Sequence, residues 1–245
     1  MPGRFTRRPV GPQGGFTDTQ DTEHDRVPSE ARMFAVADEW YRSPTWDDDA
    51  RADFERRLSR ARKTGRQQYL LLKASKLRSV GKVEAARELL HRATEEPDGL
   101  FFHVVEAWQQ LAELAAQRGD RSTAVELYRR ILTEGPDVSG TDGNVEIALA
   151  ELLLDTGSEE ERAEASELLS SWLTKPQTKF NHSQFRWHLA AIRVAQSAGD
   201  REAARRSAIE ALNLAGSAAQ FARHKDVGLV QTDRATLQRL RQLAK

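Results

Sequence analysis

Apolar residues recur at helical spacing through most of this chain, and short polar stretches separate the runs. Between residues 66 and 216 the runs fall into four pairs, and in each pair a glycine precedes the second run and an alanine follows 5–8 residues later. The glycines are Gly81, Gly119, Gly157 and Gly199, and the alanines are Ala86, Ala124, Ala165 and Ala204, separated by 38, 41 and 39 residues. Glycine permits a tight turn and a small residue lets two helices approach closely. The pattern therefore predicts a stack of antiparallel helical hairpins.

The same pattern divides the chain into segments. Residues 1–28 contain four glycines, four prolines and almost no aliphatic side chains, which is typical of a disordered tail because little apolar surface is available for burial. We expect residues 29–245 to form a single helical repeat domain. Its predicted parts are an N-terminal helix pair at 29–64, separated by Gly65 from repeats at about 66–97, 101–136, 142–176 and 182–216, and a C-terminal capping helix at 232–245. The loop at 216–231 shows no helical face.

The second of these repeats, at about 101–136, carries the clearest motif. Its members are Trp108, Leu111, Ala112, Ala124, Tyr128, Ile131 and Pro136. This spacing resembles the tetratricopeptide repeat (TPR) consensus, although the alanine separations exceed the 34 residues of that family. The whole chain is also similar to uncharacterised bacterial TPR-like proteins. The resemblance implies an all-α fold, an α-solenoid of TPR-like antiparallel hairpins between the disordered tail and the capping helix.

The resemblance also implies a function: TPR arrays commonly hold a peptide or a partner helix in a concave groove lined by the first helix of each pair. Counting from the turn glycines, the residues expected along this groove are Gln68, Ser75, Arg78, Glu106, Gln109, Glu113, Gln117, Asn144, Glu151, Asp155, Arg186, Arg193 and Gln196. The line is polar and its charge changes sign along the chain, which would orient a bound segment by charge complementarity. Simple exposure to solvent is the alternative interpretation of the same residues.

Composition narrows the class of protein. The absence of cysteine excludes disulfides, thiolate metal sites and cysteine nucleophiles. No apolar run approaches the roughly 20 residues of a membrane helix, and the first residues lack the apolar block of a signal peptide. We therefore expect a cytoplasmic protein with no membrane partner.

Charge is segregated although the formal net charge is zero. Residues 51–92 carry 13 Lys and Arg against 4 Asp and Glu, residues 137–167 carry 1 against 10, and residues 175–245 carry 13 against 5. Blocks of this kind either steer a charged partner or form the solvated outer faces of helices. Nucleic-acid binding through the basic segment 51–92 is an alternative function, but the zero net charge and the acidic centre argue against it.

Candidate chemistry is sparse. His182 and His188 would point apart on one helix, so shared metal binding is not expected. Residues 139–144 could offer backbone N–H groups to an anion at a helix start. The stretch 180–188 is either a recognition surface or a helix cap followed by core anchors. Since no catalytic motif is found, we expect a non-catalytic protein–protein interaction scaffold without cofactor or metal. After the scaffold and nucleic-acid binding, the third hypothesis is an unrecognised enzyme or small-ligand binder that uses the loops near Asp142 and His188.

Overall fold

A computed structural model describes residues 39–135, 140–156, 158–221, 223–224 and 226–245, with only the backbone described at 156. Within them, Glu39–Lys245 belongs to one compact unit. The predicted tail at 1–28 and most of the helix predicted from residue 29 lie outside the described residues. The described part of that helix is a single 3-10 turn at Trp40–Arg42, which ends before Pro44 as expected.

The described residues form ten α-helices and no strand, which confirms the all-α prediction. The helices are α1 (Asp48–Arg60), α2 (Lys63–Ser79), α3 (Val83–Glu95), α4 (Phe101–Gln117), α5 (Arg121–Glu134), α6 (Val145–Thr156), α7 (Glu159–Thr174), α8 (Asn181–Ser197), α9 (Arg201–Ala215) and α10 (Arg234–Leu243). The most extensive packing joins α2 to α3, α4 to α5, α6 to α7 and α8 to α9. These four hairpins stack in chain order, and α10 packs on α9.

The hairpin turns have the geometry that the phased glycines predict. Gly81, Gly119 and Gly199 have φ of 77°, 77° and 72°, a left-handed conformation that side chains with a Cβ rarely adopt. After each of these turns the next N–H donates back to the helix end, from Lys82 to the Leu77 carbonyl, from Asp120 to the Ala115 carbonyl and from Asp200 to the Ala195 carbonyl, all at 2.9 Å. The fourth glycine of the series, Gly157, lies outside the described residues.

The phased alanines are the contact points inside each hairpin. Their side chains are almost completely buried, and they are Ala86, Ala124, Ala165 and Ala204. Buried apolar residues form three clusters, the first built from α1 to α4, the second from α4 to α8 and the third from α8 to α10, and the first includes Ala86 while the second includes Ala165. The core is therefore a continuous series of inter-helix contacts, as expected of stacked repeats.

The prediction that Gly65 separates two helices is wrong. Gly65 lies in the first turn of α2, which begins at Lys63. The chain bends earlier, at Ala61, whose ψ of 152° is extended. A helix tolerates one glycine at about 1 kcal/mol relative to alanine, and here the burial of Leu70, Leu71 and Leu77 on the same helix outweighs that penalty.

The alternative in which the stretch 180–188 begins with a helix cap, formed by the Asn181 and Ser183 side chains, is also wrong. The capping position is Phe180, whose side chain offers no acceptor. The loop between α9 and α10 supplies the acceptors instead: the Asn181 N–H donates to Gln220 Oε1 at 3.0 Å, and the His182 N–H donates to the Gly228 carbonyl at 3.1 Å. The loop that has no helical face in the sequence therefore closes the start of the last hairpin.

Candidate functional site

A cavity of about 530 Å³ runs along the inner side of α4, α6, α8 and α10. We call it the inner cavity. Its wall is formed by Glu113, Ala116, Gln117, Tyr128, Ala148, Glu151, Leu152, Asp155, Arg186, Leu189, Ala190, Ile192, Arg193, Thr236, Arg239, Leu240 and Leu243. Three of the four helices are the first members of their hairpins. The wall mixes aliphatic side chains with both signs of charge.

Six of the predicted groove residues line the inner cavity, namely Glu113, Gln117, Glu151, Asp155, Arg186 and Arg193. Two others, Glu106 and Gln109, line a shallower depression next to it, which they share with Glu113. Arg78 and Gln196 touch the cavity wall from outside: Arg78 pairs with Glu113, and Gln196 Oε1 accepts from Arg239 Nη2 at 3.4 Å. The structure thus brings most of the predicted line together. Ligand contact by these residues stays a prediction.

The charges along the line pair with each other between neighbouring hairpins. Arg186 Nε and Nη2 donate to the two carboxylate oxygens of Glu151 at 3.1 and 2.6 Å. Arg193 Nη2 lies 2.7 Å from Asp155 Oδ1, and Arg78 Nη2 lies 2.5 Å from Glu113 Oε2. Burial would lower the pKa of Arg186, but the hydrogen bonds and charge of Glu151 raise it above the usual value. The sign changes along the groove are therefore largely satisfied within the protein, which weakens their expected role in orienting a bound segment.

Two predicted groove residues are buried rather than solvated. Gln109 is 8% exposed, and its amide donates to Glu113 while its Oε1 accepts from the Asp142 N–H at 3.1 Å. Asn144 is 4% exposed, and its N–H and Nδ2 both bond to the Asp142 side chain. Both polar side chains form hydrogen bonds with the connection between α5 and α6, because a buried amide must have partners.

These bonds also weaken the case for the predicted anion site at the start of α6. The N–H groups of Asp142, Gly143 and Asn144 donate to Gln109, Thr141 and Asp142 side chains respectively. Three N–H groups of the predicted site are therefore already used within the protein. Residues 136–139, which include the beginning of this predicted loop, lie outside the described residues.

Eleven of the 17 wall residues are absent from the predicted line, and Tyr128, Arg239 and Leu240 are examples. Tyr128 occupies a consensus packing position on α5, yet it lines the cavity with only 4% of its surface exposed. Burial, together with the negative charge of Glu113, raises the pKa of its hydroxyl far above the usual value, so the hydroxyl is protonated at neutral pH. Arg239 and Leu240 come from α10, whose contact with the groove has no signal in the repeat spacing.

The stretch 180–188 is partly buried, with Ser183 and Phe185 in the interior and the other residues half-exposed. Phe185 is buried, and Trp187 Nε1 donates to the Leu169 carbonyl at 2.8 Å. Burial lowers the pKa of His188, whose Nδ1 is enclosed and has no hydrogen-bond partner in the described residues. Within this stretch, Arg186 lines the inner cavity, and so does Leu189, the residue that follows the stretch. Both residues also line a more open depression that continues toward Leu229 and Asp233.

The basic segment 51–92 is extensively paired with acidic side chains. Arg92 forms two hydrogen bonds with the Glu55 carboxylate at 2.6 and 2.9 Å, and Arg51 lies 2.6 Å from Glu88. Arg56 and Arg57 both pair with Asp53. Phosphate binding relies on cations that are free to replace counterions. The nucleic-acid alternative therefore has little support from this surface.

Metal and enzyme chemistry gain no support from the described geometry. Within the described ranges no three His, Cys, Asp or Glu side chains are close enough together to hold a metal ion. His103 Nδ1 lies 3.3 Å from Glu106 Oε2, but this pair stands outside the inner cavity. None of the described helices is long and apolar enough to cross a membrane.

Comparison with known families agrees with the helical repeat. One tetratricopeptide repeat model matches residues 105–141, and a second tetratricopeptide repeat model matches residues 45–121. The comparison with curated proteins gave no match. The matches extend from the turn before α1 to just beyond α5, and the same hairpin geometry continues from α6 to α9. The chain is therefore similar to tetratricopeptide repeat proteins over residues 45–141, and its described helices form an all-α, TPR-like stack of hairpins.

Proposed function

We propose that this chain is a non-catalytic protein–protein interaction scaffold that binds a peptide or partner helix in the inner cavity. TPR repeats generally mediate protein–protein interactions. The observation that carries the proposal is the position of the cavity, on the inner side of the first helices α4, α6 and α8 and bounded by α10. Its volume of about 530 Å³ is in the range of ligand-binding pockets and would accept a few side chains of a partner.

The character of the wall supports a protein ligand. Leu152, Leu189 and Leu243 are partly exposed in the cavity, so a partner's apolar side chain would find aliphatic surface there. The ion pairs Glu151–Arg186 and Asp155–Arg193 hold the polar side chains in one arrangement before any ligand arrives. A wall that is already ordered loses less side-chain entropy on binding.

The proposal is tested by filling the cavity without disturbing the core. Gln117 is exposed at the end of α4 and lines the cavity, so Gln117→Trp places a large ring in its mouth. Asn213 is exposed on α9, does not line the cavity and is not part of the predicted groove, so Asn213→Trp is the matched control. Proteins captured by the tagged chain from a lysate of its own organism, and then purified, are tested for direct binding to both variants.

We expect a direct partner to bind the parent and Asn213→Trp alike and to lose at least about tenfold in affinity for Gln117→Trp, since steric blocking removes contacts with the cavity floor. Circular dichroism and thermal melting of both variants verify that the fold is intact. A partner that binds Gln117→Trp as tightly as the parent would place the interaction surface elsewhere and contradict the proposal.

A further inference from the structure

The wall of the inner cavity has one cation more than its ion pairs use. Among the described wall residues, Glu113 pairs with Arg78 from outside the cavity, Glu151 pairs with Arg186, and Asp155 pairs with Arg193. Arg239 is the remaining charged residue of the wall. Its guanidinium has no carboxylate within ion-pair distance in the described part of the chain, and its hydrogen bond to Gln196 Oε1 is long, at 3.4 Å.

Arg239 lies beside aliphatic surface. Leu243 follows it by four residues on α10 and therefore lies on the same side of that helix, and both residues line the cavity. Leu189 of α8 contributes to the same wall. The Arg239 guanidinium thus lies next to a patch of partly exposed leucines.

Tyr128 adds a polar group to the wall of the cavity. Its side chain packs among the α4–α6 core residues and also lines the cavity. A ligand that enters the cavity can bond to its hydroxyl, because a hydroxyl both donates and accepts.

We propose that the inner cavity binds a segment of a partner protein in which an acidic side chain lies next to a large apolar side chain, with Arg239 binding the carboxylate. The leucines beside Arg239 would receive the apolar side chain, and Tyr128 would bond to a polar group of the segment that reaches deeper. This inference rests on the proposed function and specifies its ligand.

The charges of the cavity favour a carboxylate over a nucleic acid. A polynucleotide carries a series of phosphates, which would meet Glu113, Glu151 and Asp155 in the same wall. One free guanidinium matches one carboxylate, and arginine binds carboxylates with two parallel hydrogen bonds. A single acidic group in an otherwise uncharged segment therefore fits the wall best.

The test begins with a random dodecamer library displayed on phage and selected on the full chain. Enriched sequences are synthesised with acetylated and amidated ends, so that every carboxylate comes from a side chain, and dissociation constants are measured by fluorescence anisotropy. We expect enriched peptides to contain Asp or Glu within a few positions of Leu, Ile, Met or Phe. Replacing that acid by its amide, or introducing Arg239→Gln, should weaken binding about tenfold or more, because a charge-assisted pair is lost.

Arg241→Gln is the matched control. Arg241 is exposed on the same helix, and its replacement changes the net charge of the protein equally, but it does not line the cavity. We expect this variant to change the dissociation constant by less than about twofold, as for an exposed charge outside the contact. In the Arg239→Gln variant, the acidic peptide and its amide counterpart should bind equally, since both lack the pair.

The outcomes separate the ligand from the site. Loss of affinity in Gln117→Trp shows that an enriched peptide binds in the cavity. If such peptides lack an acidic residue, or respond equally to Arg239→Gln and Arg241→Gln, the acidic-ligand inference alone is overturned. Failure to enrich any peptide, or binding that survives Gln117→Trp, would count against the proposed function as well. Displacement of the peptide by a uridine oligonucleotide in an Arg239-dependent manner would assign the site to phosphate and overturn the inference.

Discussion

Buried glutamines join the hairpins of this protein at the level of single residues. Gln67 is fully buried; its Nε2 donates to the Ala93 carbonyl at 2.9 Å, and its Oε1 accepts from the Leu100 N–H at 2.6 Å. Gln109 repeats the second bond one hairpin later by accepting from the Asp142 N–H. In both places the acceptor precedes its donor by 33 residues. A glutamine on the first helix of one hairpin thus accepts a hydrogen bond from a backbone N–H just before the next hairpin.

Replacement of Gln67 by leucine tests this device. Gln67→Leu keeps the volume similar but removes the partner of the buried Ala93 carbonyl and of the part-buried Leu100 N–H, which should lower the free energy of unfolding by about 1–3 kcal/mol. Urea denaturation monitored by circular dichroism measures the change. Gln68→Leu, on the exposed neighbour, should alter stability by no more than about 0.5 kcal/mol. Equal effects of the two substitutions would contradict the assigned bonds.

His188 predicts a pH dependence of stability. Burial lowers its pKa from the ordinary value of 6.5, while the nearby Glu210 partly opposes the shift. As pH falls below about 6.5 the unfolded chain therefore takes up a proton that the folded chain does not, so the free energy of unfolding should decrease until the folded pKa is reached.

Comparison with His188→Gln isolates this contribution. The variant cannot titrate at that position, so its stability should decline less than that of the parent between pH 7 and pH 5. Urea midpoints at half-unit pH intervals provide the measurement, and the difference between the two proteins at pH 8 serves as the baseline. Parallel curves over the whole range would show that His188 titrates alike in the folded and unfolded chain.

At the scale of helices and turns, the sequence predicts the positions of the hairpin turns well and the contacts between successive hairpins poorly. The phase of Gly81, Gly119 and Gly199 with the buried alanines locates the turns, because a left-handed turn and a close helix contact each restrict the residue type strongly. The start of α8 is different: its acceptors come from residues 220 and 228, which are distant in sequence. Local capping rules cannot detect a partner supplied by tertiary structure.

The candidate site shows the same division. Helical phase identifies Glu113, Glu151 and Arg186 as inner-facing, since spacing from the turn determines the face of a helix. It does not reveal that Glu151 and Arg186 pair with each other, nor that Gln109 turns inward to bond the α5–α6 connection. Tyr128 escapes detection for another reason: one side chain serves both the core and the cavity, and its consensus position indicates only packing.

The docking of α10 predicts a local effect. Leu240 is almost fully buried against Phe185 and Ile192 of α8, so Leu240→Ala should destabilise the α10 contact by about 2–5 kcal/mol through lost burial and the cavity left behind. Hydrogen exchange read by mass spectrometry should show faster exchange in α10 and little change in α2 and α3. Gln238→Ala, at an exposed position of α10, is the control. Uniformly faster exchange along the whole chain would indicate that α10 is not a locally docked element.

At the scale of the whole molecule, the segregated charge of the sequence becomes pairing between neighbouring hairpins. Basic residues near the start meet acids one repeat later, as in Arg51–Glu88 and Arg78–Glu113. The acidic centre pairs in both directions, to Arg129 through Glu164 and to Arg186 through Glu151. A formal net charge of zero therefore reflects complementary blocks brought side by side by the repeat length.

Charge reversal at one of these pairs tests the pairing. Glu151→Arg and Arg186→Glu should each lower the free energy of unfolding, and the double variant should recover part of the loss, with a coupling of about 0.2–1 kcal/mol because both side chains are partly exposed. The coupling should shrink in 1 M sodium chloride, since salt screens such pairs. Strictly additive single effects at low salt would show that the two side chains do not interact in solution.

The same pairing restricts how this chain can lengthen. Counting back from the turn glycines Gly157 and Gly199, Glu151 corresponds in position to Arg193. A tandem duplication of the α6–α7 hairpin would therefore set the second copy's Glu151 opposite Asp155 of the first, carboxylate against carboxylate, where the present chain has Asp155 opposite Arg193. Each hairpin thus specifies its successor, so the order of the repeats is encoded by charge and the hairpins are not interchangeable modules.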